Sequence, residues 1–538
     1  MQIVTRKVEK FFENIRMIMS FIILLCHFYC LAQPQKTNSS LEFPNIVYIL
    51  ADDLGYGDIN AFNPNGKIRT PNLDKLVSDG MMFTDAHTSS AVCTPTRYGI
   101  LTGRYNWRSP LKSGVLTGKS KALIPKERTT IASFLKKEGY TTAFIGKWHL
   151  GWDWAIKIGI ENTGEGWSSQ DFKAIDFTKE ISNGPNDLGF DYAYGHSGSL
   201  DMAPYVYVEN GRATQVPDKF TGNNSKYGWW REGPTSSDFI HDDVTPHFFE
   251  KAIQYISDKS KNNQPFMLYL ALPSPHTPIL PSKKWQGNSK INPYADFVMM
   301  VDDYVGQLLK TIENTGIENN TIVIFTSDNG CSPEADFKEL IAKGHYPSSI
   351  FRGHKADIFE GGHRVPFIVK WPDKIKNKSA SNKTICTTDF LATCADIVNT
   401  GLKDSEGEDS FSILPLLLDP NSNNYQREAI IHHSINGSFA IRKGDWKMIF
   451  CPDSGGWSYP KPNSEGLENL PQFQLYNLVT DPGEKNNLFG KRPNISKELK
   501  ELMVTYIENG RSTPGEKQKN EVEGYGSKSW SQLKIFTE

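Results

Sequence analysis

Two apolar runs of the sequence end in residues whose oxygen atoms could hold a cation. Asp52 and Asp53 follow the first run, and Asp328 with Asn329 follows a second run much later in the chain. Carboxylate and amide oxygens suit a hard divalent cation such as Ca²⁺ or Mg²⁺, whereas Zn²⁺ prefers nitrogen and sulfur. These four residues therefore predict a divalent cation site.

Positively charged and titratable residues end two further apolar runs. Lys147 and His149 follow one of them, two positions apart, so that on an extended segment they would point the same way. His276 stands between prolines after the other run, while Arg97 and Lys355 add positive charge. Each residue alone is explained as well by a surface charge or a hydrogen-bonded core histidine. Together around a metal they indicate an anion site, and a sulfuryl or phosphoryl group fits because its transfer depends on positioning and charge stabilisation.

Cys93 begins the run Cys93-Thr94-Pro95-Thr96-Arg97, which by itself is typical of a free cysteine before a short helix. The chain has 7 cysteines. Two of them, Cys26 and Cys30, lie in an N-terminal targeting segment. The other five are too sparse for a disulfide framework, and an odd number leaves at least one unpaired in a monomer. Without Cys93 the set is even, with its pairing left open: Cys331, Cys386, Cys394 and Cys451.

Buried strands and amphipathic helices alternate through most of the chain. The pattern predicts strands at 45–51, 140–145, 266–272, 321–326 and 365–369, and helices at 72–79, 130–138, 246–256 and 296–312. This favours an α/β fold with a large, mostly parallel but mixed sheet between helices, whose strands deliver the four polar ends to one edge. Residues 151–240 are predicted to be long loops.

The pattern of predicted strands and helices changes after about residue 425. A hairpin at 439–450, a short strand at 474–478 and a helix at 497–507 predict a smaller C-terminal α+β domain with a short antiparallel sheet. We therefore divide the chain into 1–32, a signal peptide; 33–43, a linker; 44–425, a catalytic domain; and 426–538, the C-terminal subdomain.

The N-terminus is typical of an export signal. Basic residues precede the apolar stretch 17–31, which is shorter than the roughly 20 residues that cross a bilayer. Cleavage after Ala32 is predicted, with an N-terminal anchor as the alternative. Lipidation of Cys30 is disfavoured by the bulky Phe28 and Tyr29. We expect a periplasmic or secreted protein without stable membrane insertion. A net charge of −2 indicates no nucleic-acid partner.

The run Cys93–Arg97, followed by Leu101-Thr102-Gly103-Arg104, resembles the signature of the formylglycine-dependent sulfatases. This family belongs to the alkaline phosphatase-like superfamily, and the chain resembles its exported bacterial carbohydrate sulfatases in particular. The resemblance covers roughly residues 44 to 490. Segments that match in order are Asp52 to Gly55, Gly146 to Leu150, Thr326 to Gly330, Glu360 to Pro366, Ile441 to Lys447 and Leu475 to Glu484.

The resemblance implies an alkaline phosphatase-like fold and a set of roles. A maturation enzyme would oxidise Cys93 to formylglycine (3-oxoalanine), whose hydrated form attacks the sulfur. His276, with Lys355, would protonate the departing alcohol, and His149 would take a proton so that the aldehyde reforms. Lys147, Lys355 and Arg97 would hold sulfate oxygens or the formylglycine. One Ca²⁺, with Mg²⁺ the lesser alternative, would be bound by Asp52, Asp53, Asp328, Asn329 and residue 93.

The expected substrate is a sulfated oligo- or polysaccharide. Algal polysaccharides such as ulvan, carrageenan or fucan and glycosaminoglycans are the classes considered. Possible sugar contacts, each weighed against a structural role, are His196, Asp201, His345, Arg352 and His354. One alternative function is a phosphonate monoester or phosphodiester hydrolase of the same superfamily. An inactive, metal-stabilised carbohydrate-binding protein is the other.

Overall fold

The computed structural model describes Met17, residues 43–160 and residues 172–521. The predicted signal peptide and linker, with Cys30 and the cleavage site after Ala32, lie outside the described residues. In the part of the chain that is described, every helix is too short or too polar to cross a membrane.

The strands of the described residues are β1 (Asn45–Ala51), β2 (Met81–Phe83), β3 (Ala86–His87), β4 (Thr141–Lys147), β5 (Tyr192–His196), β6 (Val208–Glu209), β7 (Arg212–Ala213), β8 (Lys219–Asn223), β9 (Trp230–Thr235), β10 (Phe266–Ala271), β11 (Thr321–Ser327), β12 (Phe367–Lys370), β13 (Ser379–Ser381), β14 (Ile385–Cys386), β15 (Ile430–His433), β16 (Phe439–Lys443), β17 (Trp446–Ile449) and β18 (Gln474–Asn477). Ten of them form the main sheet, in the order β13-β2-β12-β11-β1-β10-β4-β5-β6-β7. β11, β1, β10, β4 and β5 are mutually parallel, while β12 and β6 run antiparallel to their neighbours. The expected large, mixed, mostly parallel sheet is confirmed.

Helices cover both faces of this sheet. The helices of the described residues are α1 (Pro71–Ser78), α2 (Cys93–Thr102), α3 (Ile131–Lys137), α4 (Val244–Lys259), α5 (Pro293–Asn314), α6 (Phe337–Ala342), α7 (Glu360–His363), α8 (Phe390–Ile397), α9 (Leu414–Leu418) and α10 (Pro493–Asn509), of which α10 packs on the C-terminal sheet instead. β1 shows the layering, because its alternate side chains point to opposite faces. Val47 and Ile49 join the core that includes α1, α4 and α5. Tyr48 packs instead on Phe390 of α8, with ring centroids 4.6 Å apart.

The parallel strands carry the candidate site at one edge of the sheet. Ala51, at the end of β1, is paired with Ser327 at the end of β11. Ala271, at the end of β10, is paired with Gly146, the residue before Lys147 in β4. The loops that follow β1, β11, β4 and β10 therefore leave the sheet at neighbouring points, as the sequence predicts.

The four C-terminal strands form a separate antiparallel sheet, β15-β16-β17-β18, which confirms the expected small sheet. One face packs on α10, and the other packs on Ile358 and Phe359 of the main fold. Lys447 of β17 is fully buried and pairs with Glu360 of α7 at 3.1 Å and Glu484 at 2.9 Å. The buried lysine and glutamates thus compensate one another's charge, and the pair with Glu360 links the C-terminal sheet to the main fold. The exact boundary at residue 425 stays a prediction.

The expectation of long loops at 151–240 is wrong in part. β5 extends the main sheet, β6 and β7 follow at its edge, and β8 and β9 form a separate antiparallel pair. Tertiary pairing with β4 makes a strand of Tyr192–His196 although the segment is not strongly apolar. A second correction concerns Lys147 and His149, because β4 ends at Lys147 and His149 has a φ of 54°. The extended geometry assumed for this pair does not persist.

Candidate active site

The oxygen-bearing residues that end β1 and β11 meet in a fully buried cluster. Carboxylate oxygens of Asp52, Asp53 and Asp328 all lie within 4.8 Å of one another. Asn329 Nδ2 donates to Asp53 Oδ1 at 2.7 Å. Asp53 has a φ of 65°, an uncommon backbone conformation that turns the chain sharply as β1 ends. The structure brings these four residues together, and their role as metal ligands stays a prediction.

This cluster fits a divalent cation. Asp52 Oδ1 and Asn329 Oδ1 are buried acceptors without a hydrogen-bond partner among the described residues, an arrangement that costs free energy unless a donor or a cation faces them. Burial and the charge of Asp52 raise the pKa of Asp328 to about 6 despite the nearby guanidinium of Arg97. A cation among these oxygens would relieve that repulsion. Their hard donor set matches Ca²⁺ or Mg²⁺.

Cys93 is the first residue of α2, directly beside the acidic cluster. Val92 before it is extended, and the helix ends at Gly103 in the left-handed conformation, φ 62°. The thiol of Cys93 is 2% exposed and shares a 4.8 Å cluster with Asp52 and His276. Burial raises the pKa of Cys93 to about 11, although Lys147 and Lys355 oppose the shift. The unmodified side chain is therefore a neutral thiol at pH 7, which is a weak nucleophile.

Two buried lysines approach the carboxylates, Lys147 from the end of β4 and Lys355 from the loop before α7. Lys147 Nζ contacts Asp52 Oδ2 at 2.5 Å and Ser199 Oγ at 3.1 Å. Lys355 Nζ contacts Asp53 Oδ2 at 2.8 Å. Burial alone would raise the pKa of Asp52, but Lys147 and other nearby positive groups outweigh it and hold that pKa below its ordinary range. The lysines thus form a positive wall next to Cys93.

His276 lies on the same side of the cluster. Its Nε2 is 3.6 Å from Asp53 Oδ2, and its Nδ1 hydrogen-bonds to the carbonyl of Thr277. Ser199 Oγ lies 3.3 Å from Nδ1 and 3.4 Å from Nε2. With Nδ1 engaged by a carbonyl, Nε2 is the atom available to exchange a proton with a ligand.

His149 is fully buried beside Lys147. Its Nε2 is 2.8 Å from the carbonyl of Leu116, so this nitrogen carries the proton, and Nδ1 has no hydrogen-bond partner within the part of the chain that the structure describes. Burial, and then the charge of Lys147, hold the pKa of His149 well below its ordinary value. His149 is therefore a neutral imidazole whose Nδ1 can accept a proton or a hydrogen bond.

Arg97 occupies a different position from the one expected of a sulfate ligand. Its guanidinium is fully buried and donates to Asp328 Oδ2 from Nε at 3.0 Å and from Nη2 at 2.8 Å. Further donation goes to the carbonyls of Lys147 at 2.9 Å and Leu272 at 3.4 Å. These contacts contradict a direct hold on sulfate and make Arg97 a positioning residue that ties three strand ends together. A contact with residue 93 stays a prediction.

The structure places two of the five possible sugar contacts in the core and three of them nearer to solvent. His345 has both ring nitrogens engaged, by Asp58 Oδ1 at 2.7 Å and by the backbone N–H of Lys67 at 3.1 Å, so its expected contact with sugar is wrong. His196 is packed on Phe248 in the core and is 1% exposed, which also contradicts a sugar contact.

The other three candidates lie nearer to solvent. Arg352 donates to the carbonyl of Glu484 at 2.9 Å and stacks over Phe359, both structural contacts. Asp201 pairs with Arg231, and no described residue hydrogen-bonds to its Oδ1. His354 is partly exposed beside Lys355. Sugar binding by Asp201 and His354 stays a prediction.

Ser199 is a site residue that the sequence analysis missed. Its hydroxyl lies between Lys147 Nζ and the His276 ring, although it comes from the loop after β5. Recognising Tyr192–His196 as a strand would have pointed to this loop, because β5 is parallel to β4 and ends at the same edge.

Comparison with known proteins agrees with this site. The Sulfatase family model matches residues 44–400, and the model described as N-sulphoglucosamine sulphohydrolase, C-terminal, matches residues 354–509. An N-acetylgalactosamine-6-O-sulfatase of Bacteroides thetaiotaomicron is 32% identical over 513 residues, covering 88% of this chain and 95% of that protein. Human arylsulfatase A is 30% identical over 481 residues, covering 86% of this chain and 87% of that protein.

A solved structure of a 6S-sulfatase, described with the metabolism of multiple glycosaminoglycans by Bacteroides thetaiotaomicron, has a TM-score of 0.73 and 30% identity. The alignment covers 86% of this chain and 99% of that one. Fold and site together therefore define a hydrolase of the alkaline phosphatase-like type. The chain belongs to the sulfatase family and is a sulfuric ester hydrolase.

Proposed function

We propose that this sulfatase removes O-sulfate from a sulfated saccharide, with the 6-sulfate of N-acetylgalactosamine in a glycosaminoglycan as the leading substrate. It would use a formylglycine made from Cys93 and a bound Ca²⁺. The observation that supports the chemistry best is the Cys93 thiol among oxygen-only ligands and two buried lysines. Similarity to the Bacteroides N-acetylgalactosamine-6-O-sulfatase over 95% of its length supports the substrate.

Residues of this chain would hold the cation and supply the nucleophile. Asp52, Asp53, Asp328 and Asn329 would hold the cation, which supplies charge neutralisation and a strengthened nucleophile when bound. Formylglycine at position 93 would supply the hydroxyl that attacks sulfur.

The remaining chemistry belongs to unmodified residues. Lys147 and Lys355 hold the sulfate oxygens, because their ammonium groups flank the cluster and are desolvated, which strengthens their interaction with an anion. His276 gives a proton from Nε2 to the departing sugar oxygen. His149 accepts a proton at Nδ1, since Leu116 fixes the other ring nitrogen as the donor. Arg97 keeps Asp328 and the Lys147 backbone in place.

Export and maturation complete the proposal. The signal segment with its cut after Ala32 would place the protein in the periplasm or outside the cell, where a glycosaminoglycan is accessible. A formylglycine-generating enzyme would act on the run Cys93–Arg97, which resembles its recognition signal.

Turnover on a panel of substrates tests this function. We expect release of sulfate from 6-sulfated N-acetylgalactosamine saccharides to exceed that from 4-sulfated, N-sulfated and algal carrageenan, ulvan or fucan oligosaccharides. Faster hydrolysis of a matched phosphodiester would support the alternative phosphodiester hydrolase instead. Preference for an algal oligosaccharide would refute the glycosaminoglycan assignment but not the sulfatase reaction.

Two cysteine variants test the role of Cys93. Cys93→Ala is expected to lose all measurable sulfatase activity and to show no formylglycine by peptide mass spectrometry. Cys394→Ala is the matched control, because Cys394 is another fully buried cysteine, in α8. It is expected to keep both formylglycine and activity. Activity in purified Cys93→Ala protein would contradict the nucleophile assignment.

A further inference from the structure

Residues 451–460, which we call the Trp457 segment, follow β17 and contact the loop that carries Lys355. The backbone N–H of Ile358 donates to the carbonyl of Ser454 at 2.8 Å. A Cβ added at Gly456 would lie only 2.4 Å from the carbonyl oxygen of Ala356, so the two backbones approach as closely as a glycine permits. The C-terminal sheet thus places part of its own chain against the active-site loop.

Asp357 fixes the Trp457 segment in this position. Its Oδ1 accepts the backbone N–H of Trp457 at 2.7 Å and that of Ser458 at 2.9 Å. Its Oδ2 accepts the backbone N–H of His354 at 3.0 Å. Asp357 is fully buried, and charge-assisted bonds of this kind are strong. One carboxylate therefore holds both the lysine loop and the tryptophan backbone.

The indole of Trp457 consequently stands beside the reaction centre. Its ring centroid is 6.0 Å from Lys355 Nζ, and that ammonium is itself 2.8 Å from Asp53 Oδ2. Lys355 is buried, whereas Trp457 is partly exposed. Trp457 therefore forms part of the wall between the anion pocket and solvent.

We propose that Trp457 is a stacking platform for the sugar ring that carries the scissile sulfate, an inference that rests on the proposed function. A pyranose ring presents a face of C–H groups, and a rigid indole offers a matching apolar surface at a low cost in conformational entropy. With the sulfate held by Lys355, the attached sugar extends past the indole towards solvent. Binding sites of this kind combine aromatic surface with a few charged anchors.

A purely structural role predicts a different outcome. If Trp457 only shielded or positioned Lys355, its loss would weaken binding of any sulfate group, with or without a sugar. A stacking platform affects ligands only in proportion to the sugar surface that they bring. Inorganic sulfate and a sulfated sugar therefore separate the two roles.

The experiment compares Trp457→Ala and Trp457→Phe in a Cys93→Ser protein, which binds but does not turn over. Isothermal titration measures the affinity for inorganic sulfate and for N-acetylgalactosamine 6-sulfate. We expect Trp457→Ala to weaken sugar-sulfate binding about tenfold, and Trp457→Phe to restore most of that loss. Affinity for inorganic sulfate should change less than about twofold. Tyr459→Ala is the control, since Tyr459 lies in the same segment and is 74% exposed; it should change neither.

Three results would overturn the platform: an equal loss for both ligands, no loss for either, or sugar sulfate that binds the Cys93→Ser protein no more tightly than inorganic sulfate does. The proposed function is tested separately, by turnover in the converted wild-type enzyme. Turnover with unchanged binding in Trp457→Ala refutes the platform alone. Absence of turnover on every sulfated sugar refutes the function.

Discussion

Replacement of Arg97 by alanine should destabilise the fold measurably when no cation is bound. Arg97 is fully buried and makes a two-nitrogen contact with Asp328, whose neighbour Asp52 lies 3.5 Å from the same guanidinium. Removing one partner of a buried ion pair leaves an uncompensated charge and costs about 3–5 kcal/mol. A chain of 538 residues has an unfolding entropy of about 1.1 kcal/mol/K, so the Tm should fall by about 3–5 °C.

The assay is thermal unfolding followed by circular dichroism at pH 7.5 in excess chelator. Arg212→Ala provides the matched control. Arg212 pairs with Glu180 on the surface, with 65% of its side chain exposed, and such pairs contribute about 0–1 kcal/mol. The control should therefore unfold within about 1 °C of the wild-type protein.

Arg97→Lys separates charge from geometry. Lysine keeps the positive charge but lacks the planar fork that also reaches the carbonyls of Lys147 and Leu272. Its Tm should lie between those of the wild-type and alanine proteins. The positioning role would be refuted if Arg97→Ala unfolded within 1 °C of the control, because the buried carboxylates would then not depend on the guanidinium.

Three further predictions concern pH, the cation and the anion pocket. Burial lowers the pKa of His433 to about 4, below its ordinary value of about 6.5. The folded state therefore binds fewer protons than the unfolded state, and the free energy of unfolding should fall between pH 6.5 and pH 4. Urea titrations should show a smaller fall in His433→Phe, and a fall equal to that of the wild-type protein would contradict this cause. Asp53→Asn should weaken Ca²⁺ binding at least about tenfold in calorimetric titrations, and equal affinity would exclude Asp53 as a ligand. Lys147→Met should lower kcat/KM for sulfated sugar by about 100- to 1,000-fold in steady-state kinetics, because it removes a desolvated cation beside Asp52, whereas a tenfold change or less would contradict a sulfate contact.

Much of the central fold follows from local sequence. Residues 46–51 are apolar and buried because β1 has neighbours on both edges and helices on both faces. Helices α1, α4 and α5 were predictable because each has one apolar stripe that faces the sheet.

The edge of the sheet was less predictable. Tyr192–His196 contains Gly195 and lacks a strong apolar period, and it is a strand because β4 offers it hydrogen bonds. Pairing of that kind is decided by partners distant in sequence, which local patterns do not report. For the same reason, local sequence patterns did not predict β8 and β9.

In the candidate site, the sequence indicated the types of residue better than their roles. Asp52 and Asp328 end strands that are paired in the sheet, so their convergence follows from topology alone. The sequence shows that Arg97 is charged, which suits a contact with sulfate or with the formylglycine, but it does not show that the guanidinium is buried against Asp328. Ser199 and Trp457 come from loops positioned by contacts with distant parts of the chain, and no spacing within the sequence marks them.

The burial of Cys93 bears on when the proposed conversion to formylglycine would take place. Cys93 is 2% exposed at the start of α2, beside side chains from the ends of distant strands. If a maturation enzyme binds residues 93–97 as an extended segment, the folded chain does not offer that segment, because it lies in a buried helix. Under the proposed function, conversion would then precede closure of the sheet around Cys93. β10 and β11, which pair with the two edges of β1, lie more than 170 residues after Cys93. The interval before those strands are synthesised and paired would therefore be the one in which Cys93 can be converted, and a chain that folded first would keep the unmodified thiol.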